Sequence, residues 1–313
     1  MAAVLAAVVV AAVAVVGAVA VAVVETDGNP PAALPALGLG IGWRPANAWF
    51  VAQSTALGFV EILAEDFAPT GPLPAGLAEL VARGVRIVPH GVSLGLGGAE
   101  PIEPRRLDHL AALAARVQAP FVSEHIAFVR AGGREAGHLL PVPRTAAMLD
   151  VMTETILAAR RVLGVPLVLE NIAAPWQPPG ELDEATFLTE LLQRTDCQLL
   201  LDLANLHANA HNHGFDAVAQ LAALPLSRLA YVHVAGGVVR DGFYHDTHEH
   251  PIQPPVVALL AALAARTRIP AVLWEHDGRF GADADLAAQL AVLAQVAWPA
   301  AAPRVAARAV ADG

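Results

Sequence analysis

Tyr244–His250 reads YHDTHEH and holds three histidines and two acids in seven residues. Neutral imidazoles and carboxylates together are the donor set that iron, manganese and zinc accept. Asp246 and His248 stand two apart, so an extended chain turns both to one side, and they are the pair expected to share an ion. His245, Glu249 and His250 are read as solvated groups or as neighbours of the ligands. The single cysteine, Cys197, excludes an internal disulfide and any thiolate zinc or iron–sulfur site. Its setting, RTDCQLLLD, suits a packed small hydrophobe better than a nucleophile. A metal centre here has to be built from His, carboxylate and amide.

The same donor types recur at the C-terminal ends of apolar, β-branched runs. Glu65 ends GFVEILAE (58–65), His90 interrupts VRIVPHGVSL (85–94), and Glu124 with His125 interrupts PFVSEHIAF (120–128). Glu170 and Asn171 follow in PLVLENI (166–172), Asp202 and Asn205 in QLLLDLANL (198–206), His233 in LAYVHVAG (229–236) and Glu275 in PAVLWEHD (270–277). Singly, each has an ordinary reading: a hydrogen-bonded core histidine at His90, an arginine's partner at Glu170, a helix cap at Asp202. Together they are a set of charges whose burial without partners would cost several kcal/mol each, a cost that divalent cations offset. Magnesium or calcium would prefer all-oxygen ligands, so the histidines indicate a transition metal. Mixed His/carboxylate sets with open positions also suit iron(II) that activates dioxygen. The donors exceed the needs of one ion, and Glu170, central in the set, is the natural bridge between two or three.

The elements that must position these donors alternate regularly. Helical periodicity marks 104–117, with Leu107, Leu110, Leu113 and Val117 on one face, and also 143–164, 213–224, 255–266 and 282–297. Strands that are apolar on both faces, alternating with helices, make a parallel sheet covered by helices. Eight such units in about 260 residues fit a closed (β/α)8 TIM barrel, an α/β single domain with its active site at the strand C-termini. A doubly wound open sheet is the rival, but GLGIG lies inside the first strand and lacks the GxGxxG spacing. The expected organisation is an Ala/Val-rich extension and linker over 1–36, the barrel over 37–300 and a tail over 301–313. Residues 1–24 carry no charge and are long enough to span a bilayer, yet they lack a positive flank or cleavage site. The expectation is a cytoplasmic protein whose only membrane contact would be through 1–24. A net charge of −10 without a basic stripe excludes nucleic acid as a main partner.

Nine motifs in order resemble the DUF692 family, the multinuclear non-haem iron-dependent oxidative enzymes. They are GLGIGWRP (38–45), PHGVSLGLG (89–97), VSEHIAF (122–128), LVLENI (167–172), LLLDLANL (199–206), HNHGFD (211–216), YVHVAGG (231–237), HDTHEHPI (245–252) and LWEHD (273–277). The resemblance implies a TIM barrel with two or three irons of mixed valence and O2 as co-substrate. It also implies oxidative modification of Cys residues in a ribosomally synthesised precursor peptide, presented by a small partner protein. Carried over by position, His90, His125, Glu170, Asn205, His233, Asp246, His248 and Glu275 are the implied iron ligands. Asp202 is implied as a ligand or a support for one, and Glu170, Asp246 and His248 as the residues acting in catalysis. Glu124 stands where relatives often carry Asp. The chain departs from the pattern at Ala204, where many relatives carry a second Asn, and at His207, where many carry Tyr. His207, His211 and His213 are expected in a hydrated loop, with His213 structural or on the substrate side. The alternatives are a metal-dependent sugar isomerase or epimerase on the same barrel, an endonuclease-like hydrolase, disfavoured by the absence of a basic groove, and a non-catalytic metal-dependent peptide scaffold.

Overall fold

The computed structural model describes residues 34–299; the uncharged segment 1–24 and the tail 301–313 lie outside them. In chain order the strands are β1 Gly38–Gly42, β2 Phe59–Leu63, β3 Arg86–Gly91, β4 Val122–His125, β5 Phe128–Ala131, β6 Arg134–Leu140, β7 Leu167–Glu170, β8 Gln198–Asp202, β9 Leu229–Ala235, β10 Gly237–Arg240, β11 Phe243–Asp246 and β12 Ala271–Glu275. Eight of them, β1, β2, β3, β4, β7, β8, β9 and β12, close into a barrel whose neighbours all run parallel. This is the TIM-barrel closure that the alternation of apolar runs and helices implies. No helix among the described residues is long and apolar enough to cross a membrane.

The barrel interior follows the period of two that a pleated strand imposes. Phe59, Val88, Phe121, Val168, Leu200, Tyr231 and Leu273 form one buried cluster at the lower level. Two residues further along the same strands stand Glu61, His90, Ser123, Glu170, Asp202, His233 and Glu275, all buried. Each large apolar side chain taken from water contributes about 1.5–3 kcal/mol. The lower layer therefore holds the barrel shut while the upper, polar layer works against it. Strand β1 contributes no donor, because the residue that pairs with Glu61 at this level is Gly42; at the lower level a side chain at Gly40 would meet the Phe59 ring at 2.4 Å. The alternate residues, among them Val60, Ile62, Leu169, Leu201, Val234 and Trp274, belong to the larger cluster between barrel and helices.

Two features depart from the sequence reading. The run 120–128 is interrupted: β4 ends at His125, and Phe128 opens an antiparallel hairpin, β5–β6; a second hairpin, β10–β11, follows β9. Both turn on two residues with positive φ, Gly132–Gly133 and Asp241–Gly242, the geometry that tight hairpins require. The run 198–206 is likewise divided, with β8 ending at Asp202 and a helix, Leu203–His213, beginning at once. Asp202 caps that helix, its Oδ1 accepting from Ala204 N at 2.6 Å and Asn205 N at 2.9 Å. Asn205, His207, His211 and His213 therefore lie on a helix, not on a strand end or in a hydrated loop. A capping Asp followed by Leu and Ala outweighs the loop character of Asn and His.

Candidate metal centre

The upper layer converges on Glu170, at the C-terminal end of β7. Its Oε2 lies 3.5 Å from His90 Nε2 and 3.3 Å from His125 Nε2, and its Oε1 lies 3.4 Å from His233 Nδ1. Glu275 Oε2 lies 3.1 Å from the same His233 nitrogen. Each imidazole is held by its other nitrogen. His90 Nδ1 meets Ser123 Oγ at 2.8 Å, and His233 Nε2 meets Glu61 Oε2 at 3.1 Å. His125 Nδ1 faces two acceptors, Gly91 O at 3.2 Å and Glu124 Oε1 at 3.4 Å, so this nitrogen carries a proton and Nε2 turns to Glu170. Glu124 faces away from the barrel centre and also accepts from Leu94 N at 2.9 Å, tying the loop after β3 to the His125 strand.

The heptapeptide closes one side of the centre. His248 Nε2 lies 2.8 Å from Asp246 Oδ2, and His248 Nδ1 lies 3.4 Å from Glu275 Oε1 and 3.2 Å from Asp277 Oδ2. His248 has φ 54°, a left-handed conformation that costs a non-glycine residue about 1 kcal/mol or more. It is held there by His248 N donating to Gly236 O at 3.0 Å and Asp277 N donating to His248 O at 2.8 Å. Arg44, just after β1, ion-pairs with Asp277. The His245 ring lies tilted against Phe243, Glu249 pairs with Arg279 at 3.1 Å, and His250 Nδ1 meets Thr247 Oγ1 at 2.6 Å.

The helix Leu203–His213 pins the surrounding loops. Asn205 and Asn209, four apart on one face, donate to Asn171 O at 3.0 Å and Ile172 O at 2.8 Å, and Ala174 N returns a bond to Asn209 Oδ1 at 2.7 Å. His213 Nε2 donates to Ala174 O at 2.8 Å. Asn212 exchanges two bonds with the backbone of Tyr244, at 2.9 and 2.8 Å, and His207 packs edge-on to the Tyr244 ring. Asn171 exchanges two bonds with the Asp202 backbone. The hairpins β5–β6 and β10–β11 both contribute residues to the lining of a cleft of about 1000 Å³, together with His125, Glu170, Asn205, Asp246, His248 and Glu275.

Charge and hydrogen bonding test whether the donors fit metal ions. Ten residues fall into groups whose donor atoms lie within 4.8 Å of one another: Glu61, His90, His125, Glu170, Asp202, His233, Asp246, His248, Glu275 and Asp277. These are six carboxylates and four imidazoles, with Arg44 beside Asp277. Burial disfavours charge on His125, yet Glu170, Glu124 and Glu275 outweigh it and push the imidazole up to about 9. The same contest, with Glu61, Glu170 and Glu275 winning, holds His233 well above the ordinary imidazole value. Burial would raise Glu275, but His248 and His233 hold it well below the usual carboxylate range. At Asp202 burial dominates, reinforced by Asp246 and Glu170, and the carboxyl is held well above that range. Glu170 Oε2, Asp202 Oδ2, His233 Nδ1 and Asp246 Oδ1 are buried without a hydrogen bond of proper geometry. Two donors about 2.1 Å from a shared ion lie about 3.0 Å apart at a right angle and about 3.4 Å at the tetrahedral angle. The spacings of 3.1–3.5 Å around Glu170 and His233 match that range. The donor set therefore fits more than one divalent ion.

The eight expected His and carboxylate donors all enter these groups, and the amide Asn205 lines the same cleft with its Nδ2 donating to Asn171 O. Glu65 does not join them: it is exposed in the turn after β2 and accepts from Val92 N at 3.0 Å. Glu61, two residues after Phe59, is the carboxylate that β2 turns inward. Sequence reasoning also missed Ser123, Tyr231 and Asp277. Alternation back from His125 and His233 reaches Ser123 and Tyr231, and alternation forward from Glu275 reaches Asp277. Cys197 is buried, and burial pushes its thiol up to about 11.

The structural relatives show the barrel alone. Endonuclease IV from Thermus thermophilus superposes with a TM-score of 0.54 at 23% identity, covering 82% of this chain and 98% of its own. D-Psicose 3-epimerase from Clostridium cellulolyticum H10 gives 0.53 at 14% identity, covering 83% and 95%. By sequence, a UPF0276 protein of Streptomyces avermitilis is 50% identical over 268 residues, 83% of this chain and 55% of that relative, so the chain spans about half its length. A UPF0276 protein of Bordetella parapertussis is 40% identical over 277 residues, 86% of this chain and 94% of the relative. Residues 38–297 match the family model for the RiPP precursor modification enzymes MbnB/TglH/ChrH, which act on ribosomally synthesised and post-translationally modified peptides. The match spans the barrel from its first strand to its last helix, and the chain belongs to that family.

Proposed function

We propose that the chain is an iron-dependent oxidative enzyme that uses O2 to modify a Cys residue of a ribosomally made precursor peptide. The observation that carries this reading is the buried His/carboxylate cluster, with four donor atoms left without hydrogen bonds, at the floor of an open cleft. In this reading His90, His125 and Glu170 would hold one ion, and Glu170, common to both groups, would hold a second with Asp202, His233 and Glu275. Asp246 and His248 serve a third position or complete the second. Two or three irons of mixed valence, once bound, would supply electrons to dioxygen and lower the pKa of a coordinated thiol.

The chain's own residues do the rest. Leu139, Leu140, Trp176, Phe243 and Tyr244 line the cleft and would exclude water from around a peptide side chain. Asp246 lines the same cleft, and its Oδ1, buried without a donor, is placed to accept the proton of an incoming thiol. The reacting thiol comes from the peptide, because the chain's own cysteine is buried away from the cleft. A small partner protein that presents the peptide at the cleft mouth belongs to the same proposal. The test is co-expression with a short Cys-containing peptide encoded beside this gene, followed by mass measurement. A mass change that disappears in the Glu170→Gln variant is expected; an unchanged peptide mass with an iron-loaded enzyme would refute the reading.

A further inference from the structure

Glu61 is not on the lining of the cleft, yet its Oε2 accepts from two buried side chains of the barrel interior. Tyr231 Oη lies 2.8 Å from Glu61 Oε2 and 2.7 Å from Ser123 Oγ, and Ser123 Oγ lies 2.8 Å from His90 Nδ1. His233 Nε2 reaches the same Glu61 oxygen at 3.1 Å. Glu61, Ser123, Tyr231, His90 and His233 are at most 3% exposed. Donor inventory fixes the direction of each bond. A carboxylate only accepts and a phenol has one proton, so Tyr231 donates to Glu61. Ser123 then donates to the Tyr231 oxygen, and its own oxygen accepts the His90 Nδ1 proton. His233 donates its Nε2 proton directly. Both chains end on one atom, Glu61 Oε2.

The consequence falls on the opposite ring nitrogens. His90 is left with Nε2 toward Glu170, at 3.5 Å, and His233 with Nδ1 toward Glu170 and Glu275, at 3.4 and 3.1 Å. The two histidines present different nitrogens to one centre, which a single acceptor between them explains. We propose that Glu61 is a positioning residue that sets the tautomers of His90 and His233 together, so that both imidazoles offer lone pairs to the metal centre. This rests on the reading of the cluster as a metal site. Partners that orient ligating histidines typically change metal affinity 10–100-fold when removed.

Three variants test it, each read by anaerobic iron(II) titration, iron stoichiometry, electron paramagnetic resonance and melting of the metal-free protein. Glu61→Met removes the shared acceptor, so two ions should bind about 10–100-fold more weakly. Glu61→Gln can place its amide oxygen at the Oε2 position and accept both bonds, so it should keep wild-type stoichiometry and spectrum. Tyr231→Phe cuts only the His90 branch, so it should weaken one ion about 10-fold and spare the other. If Glu61→Gln loses iron as Glu61→Met does, Glu61 is itself a ligand and the assignment is overturned. Wild-type affinity in Glu61→Met overturns it equally. Should Glu61→Met fail to fold, Glu61→Gln and Tyr231→Phe still decide. Wild-type protein that bound no iron would instead overturn the metal reading, and this assignment with it.

Discussion

Replacing Glu170 with Gln should erase most of the stabilisation that iron gives the protein. Glu170 is shared by two donor groups, one with His90 and His125 and one with Asp202, His233 and Glu275. The amide keeps the shape of the side chain but removes the charge that both groups share. An ion present at 100 times its Kd stabilises the folded state by about 2.7 kcal/mol. In a domain of this size that corresponds to a rise in Tm of about 5–10 °C for each ion bound. Loss of a shared anionic ligand should weaken each ion about 100-fold, and at the same iron concentration the gain falls to about 0.4 kcal/mol, roughly 1 °C. The assay is anaerobic thermal melting of the metal-free protein across an iron(II) titration. His245→Ala is the control, because His245 is exposed, packs at a tilt against Phe243 and belongs to none of the donor groups, and it should keep the full rise. A Glu170→Gln protein whose melting point climbed with iron as the wild type's does would refute the reasoning.

Two further outcomes follow from other contacts. His125 in the metal-free protein is raised from about 6.5 to about 9, so its contribution to stability is fully present below pH 6.5 and is lost as pH rises through about 9. The contribution is about 3 kcal/mol at most; melting of the metal-free protein between pH 6.5 and 9 should show a falling Tm, and a flat or rising one would contradict the assignment. Iron binding needs the neutral imidazole, so iron affinity should rise over the same window, with proton release measurable by calorimetry in buffers of different ionisation enthalpy. Gly236→Ala would place a Cβ 1.8 Å from His250 O and push the segment carrying His248 off the barrel mouth. Iron stoichiometry should fall by the ion served by Asp246 and His248, whereas ions at His90, His125 and Glu170 persist; full stoichiometry would show that the segment is not part of the centre.

The architecture was legible because a closed barrel repeats one unit. Every apolar run but the first ended in a polar residue, and burial on both faces left few alternatives to strands under helices. The donors on β3, β4, β7, β8, β9 and β12 were legible for the same reason, since each interrupts an otherwise apolar run. Glu61 was not, because Glu65 lay nearer the end of its run, and only the pleat sets Glu61 in phase with Phe59 and turns it inward. The hairpins lie outside the apolar runs, apart from Phe128, although Gly132–Gly133 and Asp241–Gly242 are the residue pairs that tight turns use. The helix Leu203–His213 was hidden by its composition. Its Asn and His side chains find backbone partners in the loop 171–174 and the β10–β11 hairpin, contacts that exist only after the barrel closes.

The central claim is tested most directly by reconstituting the metal-free protein under anaerobic conditions with iron(II), zinc(II) or manganese(II) in turn. Each form would be mixed with the cognate Cys-containing peptide, and peptide mass and O2 consumption would be followed after admitting O2. The account predicts two or three irons per chain, a mass change at Cys only in the iron form, and O2 consumed in proportion to product. Modification supported equally by zinc or manganese, or proceeding without O2, would contradict it.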